Sequence, residues 1–251
     1  MGYALISSII KNTDHTIIGS DRSEEYLKTI KNKLKIQTTT DNTELAKKSS
    51  IIFLSVKPQD MNNVLAEIKP VIKNQLIVSI AAGIPIKTIT AALKYDKVIR
   101  VMPNIPCLVG EMAAGYSLGN DVTKAEAGKI KKLLGNAGMA FEVDEKHLDA
   151  ITALSGSGPA FFAAFIKYLA DAATEDGLPK EIALKLACQT ALGTGKLLLD
   201  KNMQPEELIA MVSSSGGTTV AGLHVLEKNK VENILAQAYK AAVQRSRELG
   251  K

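Results

Sequence analysis

The run Val212-Ser213-Ser214-Ser215-Gly216-Gly217-Thr218-Thr219-Val220 concentrates the chemistry of this chain. Seven consecutive small residues, five of them hydroxyl-bearing, lie between two apolar-periodic segments. The pattern predicts a tight loop feeding a helix that begins near Thr218 or Thr219, with Leu223 and Leu226 on its buried face. A helix start preceded by glycines offers unpaired N–H groups and the positive end of the helix dipole, so it suits a small anion such as a carboxylate or phosphate. The bland alternative is a flexible linker, but Ser/Gly linkers are rarely this short or closed by a capping residue.

Other reactive residue types are sparse. Cys107 and Cys188 are far apart and have no metal-ligand neighbours, which reads as two ordinary thiols in a reducing compartment. His15, His147 and His224 show no ligand spacing either, so no metal site is expected; His224 follows the loop on its helix and is expected in an exposed or capped role. A net charge of +5 and a pI near 9.0 invite a nucleic-acid reading. The lysines are scattered, however, and five Phe, six Tyr and no Trp leave little for base stacking. The positive balance is better matched to an anionic small molecule. No apolar run looks long enough for a membrane span, the nearest being residues 159–173 with Lys167 and Asp171 inside it. No signal-peptide layout opens the chain, and a cytoplasmic address is the default.

These residues need a scaffold, and 251 residues suffice for two domains. Up to about residue 143, helical patterns alternate with β-rich runs at 16–19, 51–56, 76–80 and 98–102, and more weakly at 113–118 and 140–143. Several runs are apolar throughout, as in parallel strands covered on both faces. Amphipathic stretches at 23–33, 60–71 and 123–134 complete a βαβ order, which predicts a doubly wound open sheet. Such sheets bind ligands beyond the carboxyl ends of their strands. There lie Ser20-Asp21-Arg22-Ser23, Lys57-Pro58-Gln59, Ala81-Ala82-Gly83 and Pro103-Asn104-Ile105-Pro106. Arg22 with flanking hydroxyls suits a 2′-phosphate and favours NADP over NAD, although Asp21 pulls the other way. One part is missing: residues 1–6 are already helical in pattern, and no strand with a Gly-x-Gly-x-x-Gly loop precedes them.

Beyond residue 143 the β-rich runs stop. Ser155-Gly156-Ser157-Gly158-Pro159 reads as a turn-rich start to a helix whose segment 160–166 is apolar on every face and should be buried all round, against a second copy of the chain. Gly177-Leu178-Pro179 marks a stop and restart. The next helix, about 180–199, carries Ala187, Ala191, Gly193 and Gly195, whose cost in helix propensity implies a packing reason. A short helix from Gln204-Pro205-Glu206-Glu207 delivers the Ser/Gly/Thr loop, and a last helix runs over 231–249.

In these motifs the chain resembles the pyrroline-5-carboxylate reductase family. Pro205-x-x-Leu208, Val212-Ser213-Ser214, Gly216-Gly217-x-Thr219 and Gly222-Leu223-x-x-Leu226-Glu227 look like that family's signature stretch. Val56-Lys57-Pro58-Gln59, Ala82-Gly83, Arg100-Val101-Met102-Pro103-Asn104-x-Pro106, Ser155-Gly156-Ser157-Gly158-Pro159-Ala160 and Gly177-Leu178-Pro179 match in the family's order, so the resemblance covers essentially the whole chain. It implies an α/β plus all-α protein. Residues 1–145 would form an NADP-binding, Rossmann-like doubly wound parallel sheet, and residues 146–251 a helical substrate-binding and dimerisation domain. The implied reaction is reduction of 1-pyrroline-5-carboxylate to L-proline by NADPH, or sometimes NADH, in a homodimer or higher homo-oligomer, with no nucleic-acid or membrane partner.

The same resemblance implies site roles. Ser20 and Arg22 would face the adenosine phosphate; Ser55, Val56, Lys57 and Pro58, with Ala81, Ala82 and Asn104, would line the nicotinamide side. The substrate would lie in the loop of Ser214, Ser215, Gly216, Gly217, Thr218 and Thr219. Only Met1 and Gly2 match the end of the family's pyrophosphate loop, so a chain begun at an internal start, or truncated, is expected; as written, it should bind dinucleotide poorly. No acid or histidine lies in the substrate loop, so Thr219 is the expected proton donor, directly or by relay from water; as a pure N-cap it would instead affect stability. Rival readings are a two-domain NADP-dependent hydroxyacid dehydrogenase using Lys167 or Lys185, and a truncated or inactive nucleotide-binding relative.

Overall fold

A computed structural model describes residues 1–12 and 15–250. In chain order the first part runs α1 (Gly2–Ile9), β1 (Ile18–Ser20), α2 (Glu24–Leu34), β2 (Gln37–Thr39), α3 (Asn42–Lys48), β3 (Ile51–Leu54), α4 (Met61–Ile68), β4 (Leu76–Ser79), α5 (Ile86–Leu93), β5 (Val98–Met102), β6 (Met112–Leu118), α6 (Lys124–Gly135) and β7 (Gly138–Glu142). Helices follow: α7 (Leu148–Ile151), α8 (Gly158–Glu175), α9 (Lys180–Asp200), α10 (Pro205–Val212), α11 (Thr218–Lys228) and α12 (Val231–Leu249).

The apolar strands pair as their composition demands. β3, β4 and β5 are parallel neighbours, and β4 is buried at every position, because helices cover both faces. β6 runs antiparallel to β5, and β7 parallel to β6. One core gathers α1 residues Ala4, Leu5 and Ile9 with Val78, Ile99, Val101, Tyr116 and Leu134; a second gathers Ala46, Ile52, Met61, Leu65, Ile77 and Ile89.

The sheet departs from a single doubly wound layer. β1 and β2 form a parallel two-stranded sheet of their own, and β3 to β7 form a five-stranded one. Among the described residues no strand pairs the two sheets together, and the first element is the helix α1. α3 links the two sheets: Asn42 accepts the Ser20 hydroxyl at 2.8 Å, and its amide donates to Glu67 of α4 at 2.7 Å.

Residues Met1–Ser157, joined by the chain from Ala241 onwards, form one compact unit, and Gly158–Lys240 form the other. The division thus falls later than residue 145, and the end of α12 returns to the first unit. Its Ser246 hydroxyl donates to Asp149 at 2.7 Å.

Two expectations for the helical half are corrected. The 155–159 stretch is no turn: Thr152–Gly156 is a π-helical widening inside a continuous helical run, Glu145–Glu175, in which the Thr152 and Ser155 hydroxyls donate to carbonyls four residues back. That run and Lys180–Asp200 are long and apolar enough to cross a membrane by length and composition, which the linear search for an apolar run missed. α8 is open within one copy of the chain, with Phe162 66% and Leu169 67% exposed, in keeping with the expectation that a second copy covers it. A Cβ at Gly193 or Gly195 would meet nothing within 4 Å. Among the described residues nothing packs against these glycines, so the packing reason inferred for them points to a second copy of the chain. Between α8 and α9, an apolar concavity of about 240 Å³ is lined by Phe162, Phe165, Ile166, Leu169, Ala187 and Ala191, among others.

Candidate functional site

The parallel register aligns the carboxyl ends of β3, β4 and β5 along one edge, with Leu54 opposite Ser79 and Ser79 opposite Arg100. Directly past these ends come Ser55, the turn 81–83 and Asn104. Ser55 and Lys57 are exposed, while Val56 and Pro58 are half-buried; Pro58 opens a short 3-10 turn, Pro58–Asp60. A Cβ on Gly2 would come within 3.0 Å of the Ser55 Cβ, so the start of α1 abuts this edge and tolerates little bulk. Met1 provides no side-chain cap, and the first helical bond is Leu5 N–H to the Met1 carbonyl, so the preceding N–H groups of α1 have no helical acceptor.

Ser20 and Arg22 sit at the end of β1. Asp21 is taken up locally, accepting the Ser23 N–H at 2.9 Å, while the Ser23 hydroxyl caps α2 by accepting from Tyr26. Arg22 is 88% exposed and only 3.8 Å from Asp60, an ion pair weak enough to leave the guanidinium available. The ambiguity of an acid beside an arginine is thus resolved by the turn: Asp21 shapes the backbone and Arg22 faces solvent. First-turn N–H groups of α1 without a helical acceptor, a glycine against Ser55 and a solvent-facing guanidinium together fit the phosphates of an NADP-type dinucleotide.

Asn104 is placed differently from the expectation of a residue facing a ligand. It is buried, with its amide donating to the Ser155 carbonyl at 3.0 Å and its oxygen accepting the Ala113 N–H at 2.9 Å. It is a brace between the β5–β6 connection and the π-helical turn, not a side chain free to swing. Ala81 is buried and Ala82 half-buried, so the turn they share presents mainly backbone.

The loop 213–219 lies in the other unit and matches its sequence closely. α11 begins at Thr218, its N-cap position is Gly217, and no side chain caps it. Gly216 has φ +68, a left-handed conformation that glycine adopts freely. Gly217 donates its N–H to the Ser214 carbonyl at 2.9 Å, and a Cβ there would fall 2.5 Å from the Ser214 hydroxyl. The first helical bond is Ala221 N–H to the Gly217 carbonyl, so among the described residues the N–H groups of Thr218, Thr219 and Val220 have no acceptor. Among the described residues no hydrogen bond engages the hydroxyls of Ser214, Ser215, Thr218 or Thr219, and the Ser213 hydroxyl is buried without a partner. Thr219 is the second helical residue, which removes the N-cap reading. Leu226, expected on a buried face, is 49% exposed, and α10 and α11 contain no buried residue at all.

The lysines of the rival dehydrogenase reading are surface groups. Lys167 pairs with Asp171 and Lys185 with Glu181, each four residues away. The hydrogen bond that the Lys167 ammonium donates to the Asp171 carboxylate holds its pKa above the ordinary value, opposite to what a general base needs. Cys107 is buried, its thiol pushed up by burial, and His224 is exposed. An open cavity of about 620 Å³, lined by Lys87, Asp96, Asn120 and Glu145 among others, contains none of the residues above. Sequence reasoning also passed over Glu145 and Asp149, acids without a motif whose partners are distant in the chain.

Comparison with known proteins supplies the context. A family model described as pyrroline-5-carboxylate reductase dimerisation matches residues 145–249, and one described as NADP oxidoreductase, coenzyme F420-dependent, matches residues 1–83. The chain is 41% identical to the pyrroline-5-carboxylate reductase of Methanosarcina acetivorans, an alignment covering 100% of this chain and 95% of that protein. The structure is similar to pyrroline-5-carboxylate reductase from Coxiella burnetii (TM-score 0.91, 32% identity, 100% of this chain and 94% of that one). It is also similar to Plasmodium falciparum pyrroline carboxylate reductase with NADP bound (TM-score 0.89, 31% identity, 100% and 95%).

Proposed function

From the premise that the chain belongs to the pyrroline-5-carboxylate reductase family, we propose how its residues divide the work. The protein is an NADP-dependent oxidoreductase that reduces 1-pyrroline-5-carboxylate to proline, the last step of proline biosynthesis, and it acts as a homodimer. We place it in the cytoplasm.

Bound NADPH supplies the hydride to the imine carbon. The chain's part is to hold the dinucleotide, anchor the substrate and provide a proton. Arg22, beside Ser20, takes the adenosine phosphate, and the N–H groups at the start of α1, at Gly2, face the pyrophosphate. Ser55, Val56, Lys57 and Pro58, with the backbone at Ala81 and Ala82, flank the nicotinamide, while Asn104 braces that edge from inside.

The observation that carries the substrate assignment is the loop 213–219, with its unpaired N–H groups and unengaged hydroxyls at an uncapped helix start. A carboxylate there accepts from Thr218, Thr219 and Val220 N–H and from the Ser214 and Ser215 hydroxyls, at the positive end of α11. Gly216 and Gly217 let the backbone approach. Thr219 hands a proton to the imine nitrogen, directly or by relay from water. Once protonated in this way the substrate is an electrophilic iminium, so positioning matters as much as acid strength.

The cofactor half is tested by Arg22→Ala. The lost charge-assisted contact should raise KM for NADPH roughly ten-fold while leaving KM for NADH within about two-fold. Equal effects on both cofactors would remove Arg22 from the 2′-phosphate.

A further inference from the structure

We propose that the last turn of α12 is a strap that fixes the turn between β4 and α5, and that Ser246 and Asp149 are positioning residues for hydride transfer. The proposal rests on the reading above that Ala81 and Ala82 flank the nicotinamide.

Ser246 is the only residue of the 19-residue helix α12 that is buried, at 3% exposure. A serine in that position needs a partner, and its hydroxyl donates to Asp149 at 2.7 Å. The bond sets where the following residues lie. Leu249 and Gly250 then meet the turn backbone to backbone: a Cβ on Gly83 would be 2.9 Å from the Leu249 carbonyl carbon and 3.0 Å from the Gly250 nitrogen. A Cβ on Gly250 would come within 2.5 Å of the Gly83 carbonyl oxygen. Gly83 itself has φ +76, so the turn depends on glycine both for its conformation and for this contact.

The other end of the turn is held from the same helical run. α5 starts at Pro85 with no cap of its own, and Glu145 supplies the acceptor: its Oε1 takes the Ile86 N–H at 2.7 Å and Arg100 Nη1 at 3.1 Å. The Arg100 side chain is only 8% exposed, which makes this a fixed point in the interior. Glu145 and Asp149 stand four residues apart. Two acids on one run therefore hold residues 83–86 from both sides, Glu145 directly and Asp149 through Ser246 and the end of α12. The turn has only alanine and glycine side chains at 81–83, and its local hold is slight: the burial of Ala81 and a long bond from the Ala81 N–H to the Ser79 hydroxyl at 3.4 Å. A misplacement of about 1 Å at a hydride-transfer site costs up to roughly 10²-fold in rate, so an external strap has a kinetic effect.

The test compares Ser246→Ala, Asp149→Ala, Asp149→Asn and Ala82→Leu in the full-length dimeric protein. Steady-state kinetics with NADPH and with NADPH deuterated at the transferred position are read beside thermal melting. Ser246→Ala and Asp149→Ala should lower kcat roughly ten-fold and enlarge the isotope effect, with KM for pyrroline-5-carboxylate within about two-fold of wild type. Asp149→Asn, which keeps an acceptor for Ser246, should restore kcat to within about two-fold. Wild-type kcat and isotope effect in Ser246→Ala and Asp149→Ala, with only a lower melting temperature, would overturn the strap. Ala82→Leu separates the two ideas. If it impairs NADPH use while Ser246→Ala does not, the strap alone is wrong; if Ala82→Leu leaves NADPH kinetics unchanged, the turn does not face the cofactor and the proposal fails with that reading.

Discussion

Thr219→Ala is expected to lower kcat about 10²-fold, the size of a lost proton-transfer contribution, with KM for NADPH unchanged. The reason is where the hydroxyl stands. Thr219 is the second residue of α11, behind an N-cap position filled by Gly217, and among the described residues its hydroxyl is in no hydrogen bond. Removing it therefore breaks no cap and should leave the melting temperature within about 2 °C, since surface substitutions away from such features cost little. Thr219→Ser keeps the hydroxyl and should retain kcat to within a few-fold. Steady-state kinetics beside a thermal melt separate the effects. A melting-temperature loss with unchanged kcat would show that Thr219 is structural.

Leu169→Asp should separate the dimer and abolish turnover. Leu169 and Phe162 are mostly exposed in the single chain, and Phe165, Tyr168, Leu186, Leu192 and Leu199 extend the same apolar character along α8 and α9. Burying each large side chain against a second copy contributes about 1.5–3 kcal/mol. Placing an unpaired carboxylate there forfeits that and adds a desolvation cost of several kcal/mol, felt twice in a symmetric dimer. Dimer affinity should fall by at least about 10⁴-fold. Turnover should fall with it, because α10 and α11 bury nothing within their own chain and the loop 213–219 needs the cover of a partner to hold its shape. Sedimentation and activity measured over the same concentration range check both parts. An active monomer would show that each copy holds a complete site.

What could be read in advance follows from the range of the interactions involved. The apolar runs at 51–56, 76–80 and 98–102 became β3, β4 and β5, because burial on both faces leaves a continuous apolar signature. The start of α11, expected near Thr218 or Thr219 and found at Thr218, was legible because glycines and hydroxyl residues act on their own backbone. β2, three residues of Gln-Thr-Thr, carries no such signature and owes its strand to pairing with β1. β6 was legible as a weaker β-rich run at 113–118, but not its antiparallel direction, which is set by the chain path and not by composition. Arg22 could be picked out, yet Asp21 beside it remained ambiguous until the turn showed its carboxylate held by Ser23. Asn104 was expected as a lining residue from the family resemblance; its partners, Ala113 and Ser155, are separated from it in sequence and could not be foreseen. The exposure of Leu226 and of α8 has a common origin. Amphipathic and all-apolar patterns say that a face will be covered, without saying whether by the same chain or by another.

The central claim is that this chain reduces pyrroline-5-carboxylate with NADPH at the loop preceding α11. It is tested most directly by following NADPH oxidation and proline formation together in the purified dimer. The account predicts substrate-dependent oxidation with one proline formed per NADPH consumed, saturable in both reactants and strongly reduced in Thr219→Ala. A folded dimer that consumes no NADPH when given pyrroline-5-carboxylate would contradict it.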